Sequence, residues 1–479
     1  MLVLAGGTAF AQGQEGQQGQ PEEPEDSVLK GEPGGLTADQ VGKRAADTSY
    51  QAKASAEALR GAAARVDEAW SAFLPRLSTV ASYTRLSPLT PPSLGSILIT
   101  TASCPTGQLC NVDQNTPQFY SNFSFPVLVD NWLLQATLTV PISDYFLRID
   151  ENYTGALHGR DAARFDLGAS RTKSAADGKI AFYNYLGAQG AVLVAKLALD
   201  DQKTHLTDTK NLAEVGNATR VDVLRGETAV SEAELTVVRA QNLVELTAKQ
   251  LRVAMHVDDS YALKSAEALD SASLPPVQGN LSAMIVEAQT SRFEVRSIDA
   301  NAAAAREQAK VARAGAYPSL SAFGDGILGN PNQRVFPLTQ TWFGSWDLGV
   351  RLTWNPTDVP SSLAAAADAS SRAAGLDAQK QVVRDGIAVE VTQAYNSVQE
   401  ADFSLLSTAK QLSSAREAVR VARELYKAGR VNSTTLTDAE TELTRARLAV
   451  LNARLSARTS RVTLDHALGR DTRFVSLSP

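Results

Sequence analysis

The sequence predicts a mainly α-helical protein in which a unit of helix, β-hairpin and long helix occurs twice. Three observations support this prediction: a heptad pattern that recurs at a fixed offset, two long windows without proline, and two stretches of alternating apolar residues. The first two patterns predict paired coiled-coil helices, and the third predicts strands between them.

The repeat is marked by Gly216 and Gly429, which lie 213 residues apart. After each glycine, large and small apolar residues interleave along a heptad, and every position shifts by 213. The first copy has Val223, Gly226, Val230, Ala233, Val237, Ala240, Val244, Thr247, Leu251 and Ala254. The second copy has Leu436, Ala439, Leu443, Ala446, Val450, Ala453, Ala457, Ser460, Leu464 and Ala467. This seam is typical of coiled-coil helices that approach each other closely.

Proline is absent from residues 142–274 and again from residues 361–478. Because proline breaks helix interiors, these windows permit very long helices, and they are rich in good helix formers. The predicted helices are 37–73, 144–215, 217–256, 281–316, 359–428 and 431–468.

The predicted helix lengths match within each half, since the two shorter helices together are about as long as the long one. A simple arrangement places one continuous helix beside two shorter helices stacked end to end. The segment 257–280 contains two adjacent prolines and would connect the halves at an equatorial position. The repeats therefore span 37–256 and 281–469, and residues 470–479 form a C-terminal tail.

Between the helices of each half, apolar residues alternate with polar ones, which is the pattern of strands with one apolar face. Trp132 and Trp346 begin two such stretches and lie 214 residues apart, close to the offset of the helices. The four predicted strands are 76–86, 132–142, 319–328 and 346–354. They predict hairpins at 76–142 and 319–356.

Two interpretations of these strands remain open. A soluble protein would pack the apolar faces of the hairpins against its core. A membrane β-barrel also accounts for strands of about 9–11 residues with tryptophan at their ends. Four strands cannot close a barrel and open edges are not tolerated in lipid, so the chain would have to form oligomers. A dimer would supply eight strands and a trimer 12, and the periodicity does not choose between them.

The N-terminal residues 1–11 are apolar and end in a small-x-small pattern, as in the remnant of a secretory signal peptide without its basic region. Residues 12–36 are rich in Gln, Gly, Glu and Pro and are predicted to be disordered. Cys104 and Cys110 share one loop. In an exported chain they predict a small disulfide-closed loop, with two reduced thiols as the alternative.

Several function classes receive no support from the sequence. The net charge of −6 argues against a nucleic-acid binder. The four histidines lack metal-site spacing, and no phosphate-binding loop or nucleophile elbow is present. Acid pairs such as Asp200-Asp201 are expected to lie on solvated faces or turns. The sequence thus predicts no enzyme activity, no cofactor and no metal site.

The chain resembles the TolC family of outer-membrane efflux and secretion channels. The resemblance covers nearly everything after residue 36 and rests on the duplicated element order, two strand entries and two turns. The strand entries are Phe73 to Leu77 and Ala316 to Leu320, and the turns are Val215 to Val223 and Tyr426 to Arg430.

This resemblance implies a homotrimer with a 12-stranded barrel in the bacterial outer membrane and a 12-helix tunnel through the periplasm. It implies a passive exit duct of a tripartite efflux or type I secretion system. The implied partners are outer-membrane lipid, a periplasmic adaptor protein and an inner-membrane transporter of the RND or ABC type. The remaining alternative is a periplasmic coiled-coil spacer without channel activity.

The resemblance also implies a periplasmic tip at the two glycine turns, where an adaptor would dock. The implied docking residues are Gly216, Asn217, Gly429 and Val431. Members of the family close this end with an aspartate from the first repeat and a tyrosine and an arginine beside the second turn.

Asp222 and Tyr426 match the family's aspartate and tyrosine, but the position of the arginine holds Val431 and the nearest arginine is Arg430. Asp438 matches an acidic residue that rings the pore. Other interpretations remain open for all four: Asp222 as a helix cap, Tyr426 as seam packing, and Arg430 and Asp438 as solvated side chains.

Overall fold

The structure is a computed structural model that describes residues 31–89, 96–100, 118–122, 127–269, 274, 276–277 and 279–471. The signal remnant 1–11, residues 12–30, the pair Cys104 and Cys110, and the end of the tail lie outside these ranges, so the predictions made for them remain predictions.

Helices account for most of the described residues, and their bounds lie close to those predicted. They are α1 (Ala38–Thr48), α2 (Tyr50–Ser71), α3 (Asp150–Glu214), α4 (Arg220–Met255), α5 (Leu281–Ser291), α6 (Phe293–Ala314), α7 (Val359–Lys427) and α8 (Ser433–Ala467). A π-helical turn (Tyr145–Ile149) leads into α3, and a 3-10 turn (Pro356–Asp358) leads into α7. The long helices and the returning helices are thus confirmed.

The first helix of each repeat is interrupted, which the sequence did not predict. Ser49 separates α1 from α2 with ψ at 127°, and Arg292 separates α5 from α6 with ψ at 137°. At the second break, the buried Arg292 guanidinium pairs with Glu294 and Glu390. The two breaks lie 243 residues apart, so the interruption belongs to the duplication.

The strands form a four-stranded antiparallel sheet in the order β1-β4-β5-β6. These strands are β1 (Arg76–Arg85), β4 (Asp130–Val140), β5 (Ser319–Asn330) and β6 (Phe343–Thr353). Each predicted hairpin forms, and the pairing of β4 with β5 joins the two repeats. In the long loop of the first hairpin, β2 (Ser96–Thr100) and β3 (Gln118–Asn122) make a separate two-stranded ribbon.

The chain divides into two compact units. A helical unit comprises Met1–Gly61, Asp161–Ala300 and Leu376–Pro479, and a strand unit comprises Ala62–Arg160 and Asn301–Gly375. Within the strand unit, the Lys310 ammonium pairs with the Glu151 carboxylate at 3.0 Å and ties α6 to α3.

The helical unit is held by apolar clusters along the helix seams. Its largest cluster buries Phe182, Leu186, Leu251, Met255 and Leu269, and the second buries Met284, Ile387, Val391, Val398 and Leu464. Every heptad position predicted on α4 and α8 is buried or partly buried. The predicted seam is therefore confirmed, and burial of its apolar side chains is the main source of stability.

The connector between the repeats carries the end of the N-terminal segment. Leu36 pairs with Ser265 in a parallel bridge, and the Leu36 N–H donates to the Lys264 carbonyl at 2.7 Å. The composition of residues 12–36 predicts disorder, but residues 31–36 are hydrogen-bonded to the connector. For this part the prediction is wrong, because backbone pairing compensates for the polar composition.

The start of the C-terminal tail is also bound to the helical unit. The Arg470 guanidinium pairs with Glu287 at 2.8 Å, and the imidazole of His466 meets the Asp471 carboxylate at 2.8 Å. These two contacts attach the start of the predicted tail 470–479 to α5 and α8.

The two glycine turns have the same hydrogen bonding. Gly216 has φ of +81° and Gly429 has φ of +67°, which is the left-handed region that favours glycine. In each turn, the N–H after the glycine donates to the carbonyl five residues earlier, at 2.8 Å in the first turn and 2.9 Å in the second. This is a glycine C-cap, and it ends α3 and α7 at equivalent positions.

These geometries predict opposite effects for two glycine substitutions in one helical region. Gly429→Ala is expected to destabilise the protein by about 1–2 kcal/mol, because a Cβ disfavours positive φ. Gly386→Ala, in the exposed interior of α7 where a Cβ meets nothing within 4 Å, is expected to be neutral or to stabilise by about 0.5–1 kcal/mol. Thermal unfolding followed by circular dichroism measures both, and equal transition temperatures would contradict the capping role of Gly429.

Candidate functional site

The sheet of the strand unit has one apolar and one polar face. Residues directly opposite each other in antiparallel strands share a face, and the register aligns Leu77 with Leu138 and Leu134 with Leu328. Large apolar residues on this face are strongly exposed: Leu77, Tyr83, Trp132, Leu134, Leu138, Leu328, Trp346, Leu348, Val350 and Leu352. A soluble sheet would cover such a face with its own core, so the soluble interpretation does not fit the strand unit.

The opposite face carries polar and charged groups. Asp325 lies opposite Thr137 on one side and Asp347 on the other. The Gln135 amide donates to the Asp325 carboxylate at 3.0 Å, and the Thr137 hydroxyl donates to the same oxygen. An apolar face beside a hydrogen-bonded polar face is the arrangement of strands that separate lipid from an aqueous lumen.

Across the part of the chain that the structure describes, none of the helices combines the length and the apolar composition needed to cross a bilayer.

The two glycine turns lie at the same end of the helical unit. Leu212, just before the first turn, and Val431, just after the second, pack against one small cluster. The buried members of this cluster are Ala422, Tyr426 and Leu436. The region predicted to form the tip is therefore one packed site rather than two separate turns.

Asp222 caps the helix that follows the first turn. Its carboxylate accepts from the Thr219 hydroxyl at 2.6 Å and from the Thr219 N–H at 3.0 Å, while Thr219 Oγ1 accepts from the Asp222 N–H at 3.2 Å. The Thr219 hydroxyl and N–H hold the pKa of Asp222 below its usual value. The capping alternative thus describes Asp222 in this conformation.

Tyr426 is buried in the seam between α3 and α7. The side chain is 5% exposed, and its hydroxyl lies 2.9 Å from the Thr209 hydroxyl. Its ring stacks on the His205 ring with centroids 5.4 Å apart. Among the described residues, no hydrogen bond joins Tyr426 to Asp222, so seam packing describes Tyr426 here.

The other predicted residues surround this site. Gly216, Asn217 and Gly429 are exposed in the turns, and Val431 is partly buried against Leu436 and Tyr426. Arg430 and Asp438 are exposed, as the solvated alternative describes. These positions leave the turn residues accessible to a partner, but they do not assemble the expected closing residues into one network.

A buried charged cluster lies next to Tyr426, and the sequence analysis did not predict it. His205 on α3 is 4% exposed and Glu440 on α8 is 2% exposed. His205 Nδ1 lies 3.2 Å from Glu440 Oε2, and His205 Nε2 lies 3.0 Å from Ser433 Oγ. The Gln202 amide also donates to Glu440 Oε2 at 3.2 Å.

Two arginines complete this cluster. The Arg423 guanidinium donates to Asp201 at 3.1 Å and to Glu440 at 3.3 Å, and Arg447 donates to Asp201 at 3.1 Å. Burial acts to lower the pKa of the Arg423 guanidinium, but its hydrogen bonds and its attraction to Asp201 and Glu440 have the larger effect. The pKa of Arg423 is therefore above its usual value. The expectation of a solvated Asp200-Asp201 pair is therefore wrong for Asp201.

The spacing of residues in the sequence could have indicated this cluster. Asp201 and His205 are four residues apart, so they share one helix face, and Glu440 follows the seam residue Leu436 by one helical turn. Glu440 also lies directly after the seam residue Ala439, and a charged residue beside a seam indicates a buried polar contact.

The chain is similar to a protein family, to a curated relative and to solved structures. A model of the family described as outer membrane efflux protein matches residues 42–255 and 284–470. The probable efflux pump outer membrane protein TtgC of Pseudomonas putida is 26% identical over 297 residues, which cover 60% of this chain and 59% of TtgC. The match thus spans less than two thirds of that relative's length.

Two solved structures share the fold. The CusC structure has a TM-score of 0.73 at 15% identity and covers 90% of this chain and 92% of CusC. The open-state MtrE outer membrane channel of Neisseria gonorrhoeae has a TM-score of 0.70 at 18% identity, covering 90% of this chain and 88% of MtrE. The family match includes most of both repeats and confirms the resemblance found in the sequence: the chain belongs to the outer membrane efflux protein family.

Proposed function

We propose that the chain is the outer-membrane exit duct of a bacterial tripartite efflux system, passively conducting substrates that an inner-membrane transporter and a periplasmic adaptor deliver. The observation that carries the proposal is the sheet of the strand unit, with its exposed apolar face and its hydrogen-bonded polar face. The family match and the efflux-pump name of TtgC support efflux. Type I secretion is the variant of this function that the fold equally allows.

The proposed assembly is a homotrimer. The described sheet has β1 and β6 as its outer strands, and unpaired strand edges are not tolerated in lipid. Three copies of this four-stranded sheet would pair their edges and supply 12 strands around a polar lumen. The helical unit would then contribute to a 12-helix periplasmic tunnel.

The proposed docking site for the adaptor is the end with the two turns. Gly216, Asn217 and Gly429 are exposed there. A groove of about 620 Å³ runs between α4 and α8 over α3, and Ala233, Thr236, Thr437, Thr441 and Leu448 are among its lining residues. Small residues on both walls suit an incoming helix, which needs close approach. A spacer protein without a channel is disfavoured, since it would not need an exposed apolar sheet.

The proposed gate lies at the same end. Tyr426 anchors α7 to α3, Asp222 holds the start of α4, and Asp438 is exposed on α8 where three copies would form a ring. Since Val431 takes the place of the family's arginine, closure would depend on these residues and on Arg430.

The first test concerns localisation and conductance. The full chain is expected in outer-membrane fractions as a heat-modifiable trimer and to form ion-conducting channels in planar lipid bilayers. The exposed sheet face is the reason, because lipid or detergent would bury it. Recovery as a soluble periplasmic protein without detergent, or trimers that never conduct, would contradict the proposed function.

The second test concerns the gate. Combining Tyr426→Phe with Asp222→Ala is expected to raise single-channel conductance, because the first change removes the contact to Thr209 and the second removes the cap of α4. Asp222→Asn is the matched control, since its amide oxygen still accepts from Thr219 while the charge is lost. If Asp222→Asn combined with Tyr426→Phe matches the alanine combination, the charge matters; if only alanine raises conductance, the cap matters. Unchanged conductance in both would remove these residues from the gate.

A further inference from the structure

We propose that His205 and Glu440 are positioning residues of the gate, which hold Tyr426 and α7 against α3, and that a proton on His205 releases this hold. The inference rests on the proposed function and extends it. The residues involved are called the lock: Asp201, His205, Arg423, Glu440 and Arg447.

The lock is balanced in charge only while the imidazole is neutral. Asp201 and Glu440 supply two negative charges, and Arg423 and Arg447 supply two positive charges. A neutral His205 fits the contacts as well: its Nδ1–H donates to Glu440, and the Ser433 hydroxyl donates to Nε2. This tautomer is assigned from the hydrogen-bond partners.

Charged groups lie near His205 on all three helices. On α3, Asp201 is shared by the two arginines, and Asp208 pairs with Lys427 of α7 at 3.8 Å. On α7, Arg423 already neutralises much of Glu440.

On α8, the near groups are Ser433, Glu440 and Arg447. Ser433 is the first residue of the helix, so the positive end of the helix dipole faces Nε2. Attraction to Glu440 favours an imidazolium, but Arg423 and Gln202 already share that carboxylate. A third positive charge in a site where His205 is 4% exposed therefore favours opening of the cluster to water.

Opening the lock would free Tyr426. The His205 ring supports the face of Tyr426, and Thr209, one helical turn further along α3, holds its hydroxyl. Tyr426 lies three residues before the glycine of the second turn. Movement of His205 would therefore loosen the attachment of the α7–α8 turn to α3.

Two substitutions separate this role from a general loss of packing, since one is expected to keep conductance below that of the wild type at low pH and the other to raise it above that of the wild type at neutral pH. His205→Gln keeps hydrogen-bonding capacity but cannot take up a proton, so conductance is expected to stay low from about pH 8 to about pH 5. Glu440→Gln leaves the lock with excess positive charge at neutral pH, so conductance is expected to be high there already. Wild-type conductance is expected to rise as the pH falls, by at most about tenfold per pH unit for a single proton.

Two matched variants outside the lock serve as controls in planar bilayers. His158→Gln removes another histidine of α3, and Glu442→Gln removes an exposed acid of α8 that pairs with Arg445. Both are expected to retain the conductance and pH response of the wild-type protein. Trimer formation in detergent confirms that each variant has folded.

Hydrogen exchange provides a measurement that does not depend on channel activity. After correction for intrinsic rates, peptides covering 426–440 are expected to lose protection at low pH in the wild-type trimer and not in His205→Gln. A wild-type trimer that fails to conduct overturns the proposed function, while hydrogen exchange still tests the lock. A pH response by either measurement that persists in His205→Gln, or equal effects of both lock substitutions, overturns this inference.

Discussion

Close packing of α3 against α8 is the constraint on which the rest of the helical unit depends. A Cβ added at Gly187 would lie 2.4 Å from Leu455, and one at Gly190 would lie 2.6 Å from Leu451. The leucines of one helix therefore fill spaces that exist only because the other helix has glycine there. Such interlocking fixes the register of the helices, which explains why the two copies kept a constant offset of 213 while the first hairpin acquired a longer loop.

The sequence predicted the features that depend on local periodicity. The heptads predicted α4 and α8, the alternating stretches predicted the four strands of the sheet, and the two glycines predicted the turns. The breaks at Ser49 and Arg292 were not predicted, because they depend on contacts distant in sequence, such as the pairing of Arg292 with Glu390. The site was predicted in position but not in contacts, since hydrogen-bond partners such as Thr209 and Tyr426 are 217 residues apart.

The two turns show how copies of one unit diverge when packing is retained. Both begin with a left-handed glycine and end with a side-chain cap, from Thr219 in the first and Asn432 in the second. Only the first has an acidic partner for its cap, because Asp222 corresponds to Thr435 after the shift of 213. The first returning helix is therefore held by a reciprocal pair of hydrogen bonds, whereas the start of the second also contacts the lock through Ser433.

Stability alone does not account for a charged cluster in an apolar seam. Along α3 the buried face changes from Val194 and Ala195 to His205 within three helical turns. Replacing buried ion pairs with well-packed apolar residues is often neutral or stabilising by about 1–4 kcal/mol, so an apolar lock would hold the helices more firmly. An apolar seam, however, offers no second arrangement of similar energy, because its separation exposes surface without compensation. Charged groups can exchange their partners for water, which makes this end of the seam the part that can open while the rest of the helical unit stays closed.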